Sequence, residues 1–296
     1  MSTVSGRSVR FRGKYLFSVK ASKIALFVFL IIMVCFTALP LVYLVVTAFK
    51  PIDELYLFPP TFFTKRPSFS NFKDLFNCLS NSQVPFLRYV FNSLFITVLS
   101  VGASVIVSTL GAYGLVKQNP KGGNIIFSVI LAALMFPASV TQIPSYLVVK
   151  ELGLLNSYAA LIVTKIAVAF NFFLMKQFIE QIPNAYLEAA RMDGAGEIYI
   201  YWKIILPMMK PACATLIVFS FISSWNDYMG PLIYTSKATL KTLPLAVQMI
   251  SGTGAAAITT AGAVAAATFV MTMPVIIVYL LMQSQVLSTM AHSGIK

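Results

Sequence analysis

The chain has 296 residues, 58% of them hydrophobic and only 10% charged, with a net charge of +13. A water-soluble domain of this size carries about a quarter charged residues, so this composition excludes one. The basic residues are spread along loops and not gathered among exposed aromatics, which argues against nucleic acid as a partner. Three cysteines without short spacing, Cys35, Cys78 and Cys213, and a single histidine, His292, support no disulfide framework, no metal site and no histidine-based catalysis.

Residues 1–23 hold six Lys or Arg and no acid, and read as a cytoplasmic N-terminal tail. Ile24–Phe49 is an apolar run of 26 residues, longer than the ~7–15 of a secretory signal core, and predicts an uncleaved first transmembrane helix. Residues 50–85, with prolines 51, 59, 60 and 67 and mixed charge, read as an external loop with partial structure. Phe86–Val116 and Ile125–Val149 predict the second and third spans. The turn between them has two lysines and no acid, which suits the inner side. Pro137 and Pro144 are expected to break the third helix, which is allowed where the freed carbonyls face protein or water. A short external turn over 150–156 leads to a fourth span, Ser157–Phe178. Met208–Tyr234 predicts the fifth, residues 235–259 an external segment, and Ala261–Val286 the sixth, before a cytoplasmic C-terminal tail, 287–296. The fold class is therefore all-α: a polytopic membrane protein with six transmembrane helices within 24–286 and both termini inside, where the basic first tail weighs most.

Between the fourth and fifth spans lies a polar and aromatic island, Glu188–Pro207, EAARMDGAGEIYIYWKIILP. Pro183 and Asn184 stand where a helix should start, Asn184 as a side-chain cap. Gly194 and Gly196 break the run, because glycine accepts the positive φ that ends a helix, and Asp193 can cap the next one. A second short helix, Glu197–Ile205, is limited by Pro207. The prediction is a helix-turn-helix outside the bilayer over 183–207. Ala189, Ala190, Met192, Tyr199, Tyr201 and Trp202 would be free to enter a groove on a partner. A solvated helix resting at the membrane surface fits the same composition.

The order Glu188-Ala189-Ala190, then Gly194, then Ile204, then Leu206-Pro207 resembles the EAA loop of ATP-binding-cassette importer permeases. The resemblance implies that 183–207 is a coupling loop seated in a cleft on a cytoplasmic ATPase subunit. Glu188, Ala189, Ala190, Asp193, Gly194, Ile204, Leu206 and Pro207 would be its coupling residues. It also implies two such ATPase subunits, a second homologous permease subunit, an extracytoplasmic sugar-binding protein and a place in the bacterial inner membrane. No G-x-x-x-x-G-K-[ST] occurs, since Lys121-Gly122-Gly123 lacks its spacing, so ATP and Mg would be held by the partner ATPase and no cofactor by this chain. Neither H-E-x-x-H nor G-x-S-x-G is present, and a membrane enzyme is disfavoured.

Further pieces resemble the carbohydrate branch of these permeases, the group of the maltose importer's second membrane subunit. They are Arg88-Tyr89-Val90-Phe91-Asn92-Ser93-Leu94, Leu152-Gly153-Leu154-Leu155-Asn156-Ser157-Tyr158, Trp225-Asn226-Asp227-Tyr228 and Leu243-Pro244-Leu245. The function implied is import of sugars or oligosaccharides by alternating access. A permease for a non-sugar solute and an ion-coupled secondary transporter are the alternatives, the latter usually needing an ionisable group at mid-membrane. Candidates for the substrate pathway are Lys165, Asn171, Trp225, Asn226, Asp227 and Tyr228. Lys165 stands where the family usually has an apolar residue, and either lines the path and favours an anionic sugar or snorkels to the outer boundary. Asp227 and its aromatic neighbours either bind and stack on sugar or anchor the helix at the interface. Ser251, Gly252, Thr253 and Gly254 lie in a segment that is similar in position to a loop reaching into the binding protein. A flexible connector has the same composition. The tail 290–296 either enters the ATPase interface or is a disordered end.

Overall fold

The computed structural model describes residues 12–59, 61–80, 84–251 and 255–293. Gly252, Thr253, Gly254 and the last three residues of the predicted C-terminal tail lie outside them, as do residues 1–11 of the N-terminal one. Among the described residues the structure is helical, with no strand.

Helix α1 (Arg12–Phe49) begins inside the predicted N-terminal tail and runs through the whole first apolar stretch. It stands at the margin of the fold, touching α15 (Ala255–Ser293) and α3 (Ser70–Ser80) through Phe49, whose ring meets those of Phe72 and Phe269. The connection carries a short α2 (Ile52–Leu55) and is held by side chains. The Asn71 amide donates to the last carbonyls of α1 at Thr47 and Ala48 and to that of Lys50, satisfying a helix end that lipid could not. Glu54 accepts from Thr64, the Lys65 amide and Arg66, and the Lys65 N–H above all holds its carboxyl below the usual range.

Helix α4 (Phe86–Lys117) is the central element, packed against α8 (Ala169–Glu180) and α12 (Lys210–Trp225). One face of it carries Ser93, Thr97, Ser100, Ser104 and Ser108, all buried. Steps of three and four residues put these hydroxyls in one stripe. Small side chains there let neighbouring backbones approach, which is how helices associate where lipid removes the drive to escape water.

The predicted third span is two helices, α5 (Gly123–Leu134) and α6 (Ala138–Glu151), bent by 113° at Met135–Pro137. Pro137 makes the break, held extended just before α6; Pro144 sits inside α6 and does not interrupt it. The fourth is also interrupted, as α7 (Tyr158–Val163) and α8 (Ala169–Glu180) with residues 164–168 between them. After α9 (Ala185–Met192), α10 (Glu197–Ile200), a π-turn at Tyr201–Ile205 and α11 (Leu206–Met208), the chain bends by 77° into α12 (Lys210–Trp225). The predicted fifth span thus stops at Trp225, and α13 (Met229–Tyr234) follows as a separate piece. Among the described residues three helices are long and apolar enough to cross a membrane, Lys23–Phe49, Phe86–Lys117 and Thr259–Leu287, and up to five if each of the two bent pairs is one span. The fourth predicted span is missing from that set because its helices are too short.

Of the predicted external segment 235–259, residues 235–251 pack onto the helices. A 3₁₀ turn (Ala238–Leu240) and α14 (Leu243–Ile250) pack inward, with Leu243, Leu245 and Ala246 buried against α3, α4 and α15. Residues quoted for the family likeness hold this segment down. The fully buried Asn92 donates to the carbonyls of Thr239 (2.9 Å) and Lys241 (2.8 Å) and accepts from the Tyr158 hydroxyl (2.7 Å). Ser93 accepts from the Leu243 amide, and Asn156, in the left-handed region at φ 59°, accepts from the Ser236 amide and hydroxyl. Asn92→Leu would remove the amide donor to the Thr239 and Lys241 carbonyls, leaving Thr239 only a long bond from Arg88 at 3.4 Å, and would remove the acceptor of the Tyr158 hydroxyl. The expected loss is roughly 3 kcal/mol, read as a fall in the unfolding temperature of the detergent-solubilised protein; an unchanged temperature would remove this role.

Candidate functional site

Two features carry functional geometry: the 183–207 knuckle at one end of α4, and a cavity farther along the same helix. In the knuckle, α9 ends at Gly194, whose φ is +81°. The Gly194 N–H bonds the Arg191 carbonyl and the Ala195 N–H the Ala190 carbonyl, the paired bonds of a glycine-terminated helix. Gly194 therefore has the backbone conformation expected of it. Two capping expectations need correcting. Asn184 is helical and makes no cap; its side chain instead accepts from Lys117 at 2.9 Å. Asp193 is the exposed C-cap of α9, and the residue preceding α10 is Gly196.

The knuckle is bolted to α4 by polar bonds. Tyr113 donates to Glu197 at 2.6 Å, Glu197 pairs with Arg191 at 2.8 Å, and the Tyr201 hydroxyl meets that of Thr109 at 2.7 Å. Tyr201 and Ala190 are accordingly buried, not open to a partner as expected. What stands out is a set of apolar side chains: Met192 at 89% exposure, Ile198 at 78%, Tyr199 at 57% and Trp202 at 49%. Glu188, Ala189, Asp193, Gly194 and Pro207 share the exposed surface, whereas Ile204 and Leu206 are half-buried against the cluster of Met175, Ile179 and Ile200. The bolts themselves, Tyr113 and Thr109, escaped sequence reasoning, since their partners lie 84 and 92 residues away.

The cavity, of about 620 Å³, is walled by α4, α6, the gap between α7 and α8, α8, α12 and α13. It brings together three of the six predicted pathway residues, Lys165, Asn171 and Asp227. Lys165, from the 164–168 gap, pairs with Asp227, from the gap between α12 and α13, at 2.8 Å. Asp227 Oδ1 also accepts from the Gly230 amide at 2.9 Å. A Cβ at Gly230 would lie 2.4 Å from Asp227 Oδ2, so this carboxylate position requires glycine there. Asn171 donates to Ser104 and Ser220, both at 2.9 Å. The hydroxyls of Ser100 and Ser224, 1% and 7% exposed, are part of the wall and have no hydrogen-bond partner.

Trp225, Asn226 and Tyr228 do not line it. Trp225 is 2% exposed, stacked on Phe221, and its N–H donates to the Met271 carbonyl of α15 at 2.9 Å. The ring is a bolt between two helices and has no face to offer a sugar. Asn226 folds back on the Ile222 carbonyl. The wall hydroxyls were not among the predicted residues, although the three-and-four spacing of Ser and Thr along 93–108 was a signal for them. Of the candidate loop residues, Ser251 is exposed at the end of α14. No group of three or more metal-ligating side chains occurs among the described residues.

The bolts are open to test. Glu197→Gln or Tyr113→Phe should raise amide hydrogen exchange over residues 185–205 by about ten-fold, the equivalent of roughly 1.4 kcal/mol. Exchange equal to the parent's would show that the knuckle is held by packing alone.

Comparison with known proteins fits this geometry. The chain is 30% identical to the sulfoquinovosyl glycerol transport system permease protein SmoH of Agrobacterium fabrum, over the full length of both. It is 34% identical to the sn-glycerol-3-phosphate transport system permease protein UgpE of Yersinia enterocolitica, over 86% of this chain and 91% of that one. Among solved structures, a bacterial ABC transporter involved in the import of the acidic polysaccharide alginate has a chain that superimposes with a TM-score of 0.76. That chain is 26% identical, and the match covers 94% of this chain and 99% of that one. Residues 100–287 match the binding-protein-dependent transport system inner membrane component, and the chain belongs to that family of permease subunits.

Proposed function

We propose that this chain is one of two homologous membrane subunits of an ATP-driven importer of saccharides and related hydroxyl-rich solutes in the bacterial inner membrane. A separate pair of ATPase subunits binds ATP and Mg, an extracytoplasmic binding protein delivers solute, and this chain crosses the bilayer six times with both termini in the cytoplasm. The coupling loop is 183–207, with Glu188, Ala189, Asp193, Gly194 and Pro207 on its outer face and Ala190, Ile204 and Leu206 seating it. The segment around Ser251 faces the binding protein.

The observation that carries this reading is the knuckle: apolar side chains uncovered on one side, and on the other hydrogen bonds into the helix that walls the cavity. A partner that covers Met192, Ile198 and Trp202 gains an apolar contact. When it moves, α9 follows as a rigid body, because a helix closes its own hydrogen bonds. The displacement enters α4 at Thr109 and Tyr113. Nine residues along, about 14 Å at the helical rise, stands Ser100 in the cavity wall. One motion thus links nucleotide chemistry to the solute path, as in rigid-body switching generally. The solutes in the relatives' names, sulfoquinovosyl glycerol and sn-glycerol-3-phosphate, are rich in hydroxyl groups, which supports the solute class.

Two outcomes follow. In the assembled importer, Gly194→Pro and Glu188→Lys should each cut uptake at least about ten-fold while ATP hydrolysis persists, a loss of coupling of about 1.4 kcal/mol or more. Unaltered uptake at normal expression would overturn the coupling role. Met192→Cys, with Cys35 and Cys78 replaced by Ser, should react with a membrane-impermeant maleimide in inside-out vesicles and not in right-side-out ones; the reverse pattern would overturn the topology.

A further inference from the structure

We propose that Lys165 reads a negative charge on the transported solute, and that Asp227 is its resident counterion until that solute arrives. The inference rests on the permease reading above and narrows its solute class to acidic saccharides and polyols, those bearing a carboxylate, sulfonate or phosphate. An ammonium inside a membrane protein demands a partner, and Asp227 supplies one at 2.8 Å. The pairing is unequal. Asp227 Oδ2 faces Lys165, whereas Oδ1 is held by the Gly230 amide, so the carboxylate keeps a donor when it releases the ammonium. Both charges also stand at interruptions, between α7 and α8 and between α12 and α13, where the backbone is not locked into a helical ladder.

A neutral sugar would meet two charges that already satisfy each other and would gain hydroxyl contacts alone. An acidic one gains a charge-assisted bond to Lys165 as well, roughly twice the strength of a neutral one. Around the pair the wall is lined by hydroxyl and amide side chains, among them Thr141, Gln142, Ser145 and Ser223. Ser100 and Ser224 are more than nine-tenths buried and lack partners, and Asn171 is oriented by Ser104 and Ser220. Asp227 competes with the solute's acid for one cation, so binding stays weak enough for release, which passage requires.

The test uses the complete importer in proteoliposomes and two matched probe pairs: trigalacturonate with its carboxyl-reduced form, and sulfoquinovosyl glycerol with glucosyl glycerol. The parent should carry the acidic member of at least one pair in preference. Lys165→Met should lower the acidic-to-neutral uptake ratio at least ten-fold, and Lys165→Arg should restore most of it. Asp227→Asn, which removes the competitor, should lower KM for the acidic probe several-fold and lower kcat with it. Because either single change leaves a charge unpaired, the double variant Lys165→Met/Asp227→Leu provides a folded neutral site, and it too should lose the ratio. An equal effect of Lys165→Met on both members, or a parent that prefers neither, overturns the charge reading and leaves the permease standing. ATP-dependent uptake of no probe overturns the solute class and this inference together.

Discussion

A polar group inside a bilayer cannot fall back on water, and the architecture of this chain follows from where it finds partners instead. Helix α4 is the clearest case. Its hydroxyl face would be a liability toward lipid, so α8 and α12 are drawn against it, and Asn171 closes the contact by bridging Ser104 and Ser220. Asn92 does the same at one end of α4 by taking two backbone carbonyls from the segment before α14. At the other end Thr109 and Tyr113 capture the knuckle. One helix thereby gathers both functional regions, and the apolar residues fill the space that these bonds define.

Much of this was legible in the chain of letters. Long apolar runs announced α1, α4 and α15, because no charged residue interrupts their interiors. Gly194 announced the end of α9, because positive φ has a residue preference. Pro137 announced a break and was right; Pro144 looked equivalent, yet sits within α6. Local sequence marks where a helix can be interrupted, and only packing decides whether it is. The interrupted fourth segment was harder still: 164–168 contains no proline or glycine. Its break brings Lys165 to Asp227, a contact across 62 positions that no local pattern encodes.

Site residues divide along the same line. Met192 and Tyr199 were recognisable as exposed because the loop is short and amphipathic. Tyr201 was misread because its hydroxyl has a partner 92 residues earlier, so the ring turns inward. For Trp225, left between stacking on sugar and anchoring its helix, the structural alternative fits: its indole N–H finds the Met271 carbonyl of α15, 46 positions on. In both cases the polar handle of an aromatic ring is taken by a distant helix, which fixes where the ring lies.

The missing side chain at position 230 has a reach beyond its own turn. With no β-carbon there, the Asp227 carboxylate occupies space that even alanine would take, at 2.4 Å. Enlarging this one residue would swing the acid off its cation without altering either ionised group. Solute preference in such a permease could then drift between charged and uncharged cargo by a change outside the ion pair itself, leaving the charge balance of the protein untouched.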